Sequence, residues 1–366
     1  MKLKLFPKNE QELSKLFVLI FPLTLLLSSF LTFIKDSYFT FANLLPNNQI
    51  FNYGFLDRLS VKTSFGLVFV TIFCLTFTYL FSKSLGRVAV LFPLLFLTLL
   101  GLVGTEFLDI VLSFFYQDNL NMTGSSSVVL LLKILVAFGL FGLASLNLLA
   151  KKESAIFSSA QFIYGAVVFY FLSLLVARGE LIVFTDSLLI TSLYTSTHIY
   201  VGISFIYLAI IHFLMTKPID ATLFSKTLAS ITFWGFLFLL PWTSYKYYFG
   251  SVLPNWLENV SIYLSLSLLI PLLAFAVNYV KTVQTREVEI NGSGSLMNFS
   301  VLLFLLTNVL HIVSSFENLL PLVGLTNFQN VITYGYYGSL VMGSVSLTYY
   351  LVPKLFGRTV KYSLLE

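Results

Sequence analysis

The sequence predicts an all-α, polytopic membrane protein of about ten transmembrane helices with both termini in the cytoplasm. Three observations lead to this fold class. The chain is 57% hydrophobic and only 10% charged, a balance typical of membrane proteins rather than of soluble domains. It contains ten long apolar stretches, each near the roughly 20 residues that a helix needs to cross a bilayer. Its Lys and Arg residues alternate between successive connections.

Helices are the expected form of the apolar stretches, because a backbone in lipid must satisfy its hydrogen bonds within the segment. Barrel strands would be about 10 residues long and would alternate in polarity, which these stretches do not. No domain boundary is visible, so we predict a single transmembrane domain over 1–366, with tails at 1–16 and 353–366 and a bundle at 17–352. The predicted spans are 17–34, 65–82, 87–108, 127–149, 157–177, 190–215, 228–248, 260–280, 297–316 and 330–352.

The positive charges predict the orientation. The two tails and the connections after spans two, four, six and eight hold 15 of the 21 Lys and Arg residues. Because such residues are retained on the cytoplasmic side, both ends are expected inside, in the cytoplasmic (inner) membrane of a bacterium or archaeon. The net charge of +5 is then an insertion signal, and we expect lipid but no nucleic acid among the partners.

Ionisable residues near the outer ends of spans form a second pattern. Each one is costly at membrane depth unless it is paired or hydrated, although a long side chain near a helix end can also reach the headgroups. Taken together they indicate a polar cavity or site in the outer half of the bundle. The set comprises Lys62, Glu106, Asp109, Lys133, Arg178, Glu180, His198, Lys246 and Glu317.

Metal and catalytic motifs are sparse. The chain has three dispersed histidines, His198, His212 and His311, whereas a membrane haem usually takes two axial imidazoles and an imidazole copper site three. Each histidine alone is better interpreted as a packing residue than as a ligand. The single Cys74 excludes a disulfide within the chain, and phosphate loops, Ser–His–Asp arrangements and HExxH are absent.

Seven short segments nevertheless form a recognisable series. In order they are DRLSVKTS (57–64), QFIYGAVV (161–168), THIYVG (197–202), FWGFLFLLPW (233–242), SVLPNWLENV (251–260), SSFEN (314–318) and YLVPKLFGR (350–358). The series resembles subunit I of the C-family heme–copper oxidases, the cytochrome cbb type, over roughly residues 55 to 360. The resemblance implies a subunit I-like helical bundle, haem b, a high-spin haem and copper as cofactors, and other respiratory membrane subunits as partners.

The cofactor ligands of that family do not carry over. On the resemblance, Lys62 occupies the position of a second-helix haem histidine. Lys246 and Tyr247 stand for the paired copper histidines that follow helix seven, and Tyr336 lies where the tenth helix should carry haem histidines. We therefore expect no bound haem or copper.

Two residues do match family positions. His198 corresponds to a metal ligand, and one histidine left from a copper triad would bind copper only weakly. Glu317 corresponds to an acidic position beside the active site. We hypothesise that Lys62 and Lys246 pair with carboxylates such as Glu106, Asp109 or Glu317, and that these pairs replace the metals.

The sequence thus predicts a pseudoenzyme, a non-catalytic subunit I-like protein with a structural or interaction role in a respiratory complex. Two alternatives stay open. The chain could be an active haem-containing terminal oxidase or nitric oxide reductase subunit with Lys, Tyr or Met as haem ligands. It could also transport an ion or a small molecule.

Overall fold

The computed structural model is helical throughout the residues that it describes. These residues are 7, 9–40, 53–85, 91–115, 127–150, 158–177, 193–216, 222–248, 254–284, 292–316 and 325–357. Nine helical stretches in this part of the chain are long and apolar enough to cross a membrane. A tenth, Leu325–Phe356, has 32 residues and a more polar composition with many Tyr, Ser and Gly residues. The prediction of an all-α, multi-pass membrane protein is confirmed.

The chain divides into two compact units, an amino-terminal unit of Met1–Ser82 and Arg87–Lys151 and a carboxy-terminal unit of Lys83–Gly86 and Lys152–Glu366. The amino-terminal unit contains four membrane-crossing stretches. In chain order the elements of residues 1–151 are α1 (Glu10–Thr40), α2 (Tyr53–Val61), a π-helical segment (Lys62–Val68), α3 (Phe69–Thr76), a second π-helical segment (Phe77–Phe81), the short α4 (Ser82–Leu85), which belongs mostly to the carboxy-terminal unit, α5 (Phe92–Phe115) and α6 (Ser127–Leu149).

The second stretch is the core of the amino-terminal unit. In its most apolar window 89% of the residues are buried, against 28% to 39% in the other three stretches. Phe69, Phe73, Phe77 and Phe81 follow one another at four-residue spacing, with ring centroids 4.7 to 6.5 Å apart. Two hydrogen bonds between hydroxyl groups connect α1 to this stretch. Ser28 Oγ lies 2.6 Å from Ser64 Oγ, and Thr24 Oγ1 lies 3.1 Å from Thr71 Oγ1. The hydroxyl groups of Ser64 and Thr71 therefore face protein rather than lipid.

The carboxy-terminal unit contains the remaining stretches. Its elements are α7 (Ser158–Ala177), a third π-helical segment (Thr195–Gly202), α8 (Ile203–Leu214), α9 (Lys226–Leu239), 3₁₀ turns at Leu240–Trp242 and Tyr245–Tyr248, α10 (Asn255–Ser267), α11 (Leu269–Gln284), α12 (Gly292–Val313) and α13 (Leu325–Phe356).

The span Ser196–Leu214 is the core of the carboxy-terminal unit, with 89% of its window buried. Tyr207 of α8 stacks on Phe304 of α12 with centroids 4.4 Å apart. Gly335 of α13 lies directly against the Thr307 side chain of α12, where a Cβ atom would have no room. The two helices can approach this closely because glycine has no side chain.

Several elements extend beyond the predicted spans for identifiable reasons. Helix α1 begins at Glu10, within the predicted tail, because the Asn9 side chain caps the amide of Glu12 at 2.9 Å. The helix leading into span two begins at Tyr53, inside the predicted outer connection of 35–64. Span seven stops being α-helical at Leu239, just before Pro241, which has no amide N–H to donate.

Candidate functional site

The amino-terminal unit holds a buried cluster of charges that is built on one face of α5. Glu106, Asp109 and Ser113 lie three and four residues apart, so their side chains share that face. Lys133 of α6 reaches both carboxylates, with Nζ 2.9 Å from Glu106 Oε2 and 2.8 Å from Asp109 Oδ2. Asp109 thereby uses one oxygen for Lys133 and leaves the other for a second lysine.

Lys62 is that second lysine. It is the first residue of a π-helical segment, and its Nζ lies 3.1 Å from Asp109 Oδ1 and 2.7 Å from Ser113 Oγ. One turn on, Gly66 faces the Glu106 carboxylate, and a Cβ on Gly66 would come within 2.7 Å of Glu106 Oε2. Glycine at this position therefore leaves room for the carboxylate. We call Lys62, Glu106, Asp109, Ser113 and Lys133 the ionic cluster.

The ionic cluster is electrically neutral. Its two ammonium groups face two carboxylates, and the side chains of all four charged residues are at most 10% exposed. A charge buried in this way is tolerated only when an opposite charge and hydrogen bonds compensate it. Asp109 connects the two lysines, so its removal would affect both.

A second polar cluster lies in the carboxy-terminal unit and contains a single lysine. Lys246 sits on the 3₁₀ turn Tyr245–Tyr248, where its backbone amide donates to Ser261 Oγ at 3.1 Å. Its ammonium donates to the backbone oxygen of His311 at 2.5 Å and to Ser315 Oγ at 2.9 Å. Among the described residues, no carboxylate lies within ion-pair distance of this ammonium, Glu258 of α10 included.

Tyrosine and histidine side chains surround this lysine. The Tyr247 hydroxyl lies 3.1 Å from Ser314 Oγ, and Ser314 Oγ donates to the backbone oxygen of His311 at 2.8 Å. The Lys246 ammonium stands 5.3 Å from the centroid of the Tyr247 ring. We call Lys246, Tyr247, His311, Ser314 and Ser315 the lysine–tyrosine cluster.

Hydrogen bonds determine the tautomer of His311. The Tyr336 hydroxyl donates to Asn308 Oδ1 at 2.9 Å, so its oxygen is left to accept from His311 Nδ1, 3.2 Å away. Nδ1 must then carry the proton of the neutral ring. His311 Nε2 is buried and has no hydrogen-bond partner among the described residues.

The other two histidines have packing contacts. His198, in the third π-helical segment, is stacked on Tyr194 with centroids 5.1 Å apart, and its Nδ1 is 3.1 Å from Ser173 Oγ. His212 bonds through Nδ1 to the Leu208 carbonyl at 2.8 Å and lies 4.8 Å from the Phe162 ring. Over the described part of the chain, no three His, Cys, Asp or Glu side chains are grouped as metal ligands.

The described residues do not fit the haem and copper groups that the resemblance implies. The His311 ring has the tyrosine rings of residues 200, 336 and 247 packed against it, at centroid distances of 5.0, 6.0 and 6.3 Å. The Lys62 ammonium and the Tyr336 hydroxyl, both at predicted ligand positions, already bond to Asp109 and Asn308.

The predicted outer set is divided between the two units. Lys62, Glu106, Asp109 and Lys133 come together in the ionic cluster. Lys246 lies in the lysine–tyrosine cluster, together with Tyr247. His198 lies in the carboxy-terminal unit, whereas Glu317, Arg178 and Glu180 fall outside the described residues.

Sequence reasoning did not assign partners to several residues that complete the clusters. These residues are Lys133, Ser113, Gly66, Asn308, Ser314 and Ser315. For Ser113 a signal existed, because it continues the helical face that carries Glu106 and Asp109. Nothing in the local sequence indicates that Ser315 faces Lys246, since that contact joins residues 69 positions apart.

Comparison with known proteins gives one distant similarity. No protein-family model matches the chain. Over 169 residues it is 23% identical to the cbb3-type cytochrome c oxidase subunit CcoN1 of Stutzerimonas stutzeri. The match covers 43% of this chain and 34% of the relative, so it spans about a third of that protein's length. This similarity supports a multi-pass membrane protein that resembles subunit I of the heme–copper oxidases.

Proposed function

We propose that this protein is a non-catalytic relative of oxidase subunit I that serves as a structural or interaction subunit of a respiratory complex in the cytoplasmic membrane. In this proposal it binds neither haem nor copper. Ion pairs and hydrogen bonds within the chain occupy the positions of the family's ligands. The helical bundle is kept because neighbouring membrane subunits bind to it.

The proposal is supported by the bonds that residues at the family's ligand positions already make within the chain. Lys62 is paired with Asp109, Lys246 donates to His311 O and Ser315 Oγ, and Tyr336 donates to Asn308. A side chain that serves as an axial ligand needs a free lone pair directed at the metal. The ammonium of Lys62 has no lone pair while it is paired with a carboxylate.

The proposal is tested by purifying the chain from its native membrane and recording absorbance, metal content and copurifying proteins together. We expect no Soret band, iron and copper far below one per chain, and respiratory subunits in the same complex. An authentic cbb-type oxidase, purified in the same detergent, controls for cofactor loss. Stoichiometric haem by pyridine haemochrome would instead favour an active oxidase or nitric oxide reductase with unusual ligands.

A second candidate function is ion or small-molecule transport, and the ionic cluster is the observation that favours it. Ionisable residues buried inside membrane spans often mark ion pathways. Reconstituted protein would then show flux that Asp109→Asn abolishes. Absence of flux for protons and alkali cations in proteoliposomes that contain folded protein would leave the structural role as the better explanation.

A further inference from the structure

The lysine–tyrosine cluster contains a positive charge without a described counter-charge. Lys246 is only 2% exposed. The described partners of its ammonium are a backbone carbonyl, a serine hydroxyl and the face of a tyrosine ring. All three are neutral. The two lysines of the ionic cluster, by contrast, each contact at least one carboxylate.

Two hydrogen-bond donors at this point have no described acceptor. An ammonium group has three N–H bonds, and two of those on Lys246 reach His311 O and Ser315 Oγ. For the third, the described residues offer the face of the Tyr247 ring and no acceptor atom. Ser315 Oγ accepts from the ammonium, and no described residue accepts its own proton, although Ser315 is 4% exposed.

We propose that Lys246 and Ser315 form a binding site for one small inorganic monoanion of about halide size. The third ammonium N–H and the Ser315 O–H would both donate to it, and its charge would balance that of Lys246. A lysine at this depth stays charged only with a counter-ion, and the described residues supply none, so an anion that accepts from both donors would keep Lys246 protonated where a neutral water molecule would not. The site takes a monoanion because a single positive charge is present. This inference goes beyond the proposed function and does not depend on it.

Bromide is a suitable probe, because it has halide size and scatters anomalously. Thermal unfolding of the full-length protein in detergent is measured as bromide replaces gluconate at constant ionic strength. A ligand that binds only the folded state raises the unfolding temperature in a saturable way. We expect such a rise for the wild-type protein, and an anomalous peak within hydrogen-bond distance of Lys246 Nζ in bromide-grown crystals.

Two pairs of variants locate the effect. Lys246→Met should weaken the apparent bromide affinity by about tenfold or more, whereas Lys246→Arg, which keeps the charge, should retain most of it. Ser315→Ala should weaken it several-fold. Ser314→Ala is the matched control, because the Ser314 hydroxyl already donates to His311 O, and its bromide response should equal that of the wild type.

Three results would overturn the proposal. One is a wild-type unfolding temperature that is independent of bromide at constant ionic strength. Another is a bromide response that Lys246→Met retains in full; if that variant does not fold, equal responses of Ser315→Ala and Ser314→Ala would refute the site in the same way. The third is an anomalous peak only at other positions, which would show that bromide does not bind beside Lys246.

Discussion

The two units of this protein bury lysines in opposite ways. In the ionic cluster, Lys62 and Lys133 face Glu106 and Asp109, and the four charges cancel. In the lysine–tyrosine cluster, Lys246 has only neutral partners among the described residues. Lys62 and Lys246 both occupy positions that the family resemblance gives to cofactor ligands. Lys62 is thus compensated by a carboxylate, whereas Lys246 is held by neutral groups in the described structure.

The difference separates a structural role from a binding role. A neutral set of paired charges holds helices in place and has little remaining attraction for a charged ligand. A buried ammonium with neutral partners still favours an anion. We therefore expect substitutions in the ionic cluster to change stability, and substitutions around Lys246 to change the response to anions.

The largest expected effect is that of Asp109→Asn. This change keeps the shape of the side chain but leaves Lys62 and Lys133 with Glu106 as their one counter-charge among the described residues. Removing one partner of a buried ion pair typically costs about 3–5 kcal/mol, and we expect a loss of that order in the free energy of unfolding. Reversible unfolding in mixed micelles measures it.

Asp57→Asn is the matched control. Asp57 also pairs with a lysine, Lys35 at 3.3 Å, but its side chain is 46% exposed. Exposed pairs contribute about 1 kcal/mol or less, so this variant should unfold close to the wild type. Equal losses for the two variants would show that burial of the ionic cluster adds no stability.

A double-mutant cycle tests the pairing itself. Lys62→Met and Asp109→Asn should be non-additive, with a coupling free energy of up to about 3 kcal/mol, because each removes the partner of the other. Strict additivity for Lys62 and Asp109 would contradict a pair that stabilises the fold.

The fold was largely predictable because the membrane imposes simple rules. A segment that crosses the bilayer must be long and apolar and must satisfy its own backbone hydrogen bonds, which leaves the helix. All ten predicted spans coincide with helical stretches, although the ends differ. The ends were less predictable. Hydropathy penalises Asp57, Arg58 and Lys62, but these residues lie inside one helical stretch, where Lys62 and Asp57 have ion-pair partners.

The site was predictable only in its residue types. The cost of burying charge indicates that Lys62 and Asp109 need partners, and the helical face of α5 indicates which residues lie together. Which lysine meets which carboxylate depends on how separate helices pack, and no local pattern encodes that. Lys246 illustrates the limit, since its ammonium bonds to residues 65 and 69 positions away, and the predicted partner Glu317 lies outside the described residues.

Gly66→Ala tests how closely the ionic cluster is packed. An added methyl group would lie 2.7 Å from Glu106 Oε2 and displace the carboxylate from Lys133. Overpacking of this kind costs about 1–3 kcal/mol, which thermal unfolding should detect. Gly104→Ala on α5 is the control, because nothing lies within 4 Å of its added Cβ, and it should be neutral or slightly stabilising. A neutral Gly66→Ala would mean that the cluster can rearrange freely.

The smallest predicted effect, that of Tyr336→Phe, probes the surroundings of His311 without altering any charge. Loss of the hydroxyl leaves Asn308 Oδ1 and His311 Nδ1 without their partner, both in buried side chains. We expect a loss of about 1–2 kcal/mol in the free energy of unfolding, because unsatisfied buried polar groups carry a desolvation cost. Tyr334→Phe, on the same helix but 52% exposed, should change it by less than about 0.5 kcal/mol. The bromide response should survive in both variants, since Tyr336 contacts neither Lys246 nor Ser315 in the described structure. A Tyr336→Phe variant that keeps its stability but loses the bromide response would place the anion beside His311 instead. The difference in anion binding between the two clusters would then depend on the imidazole of His311 rather than on Lys246.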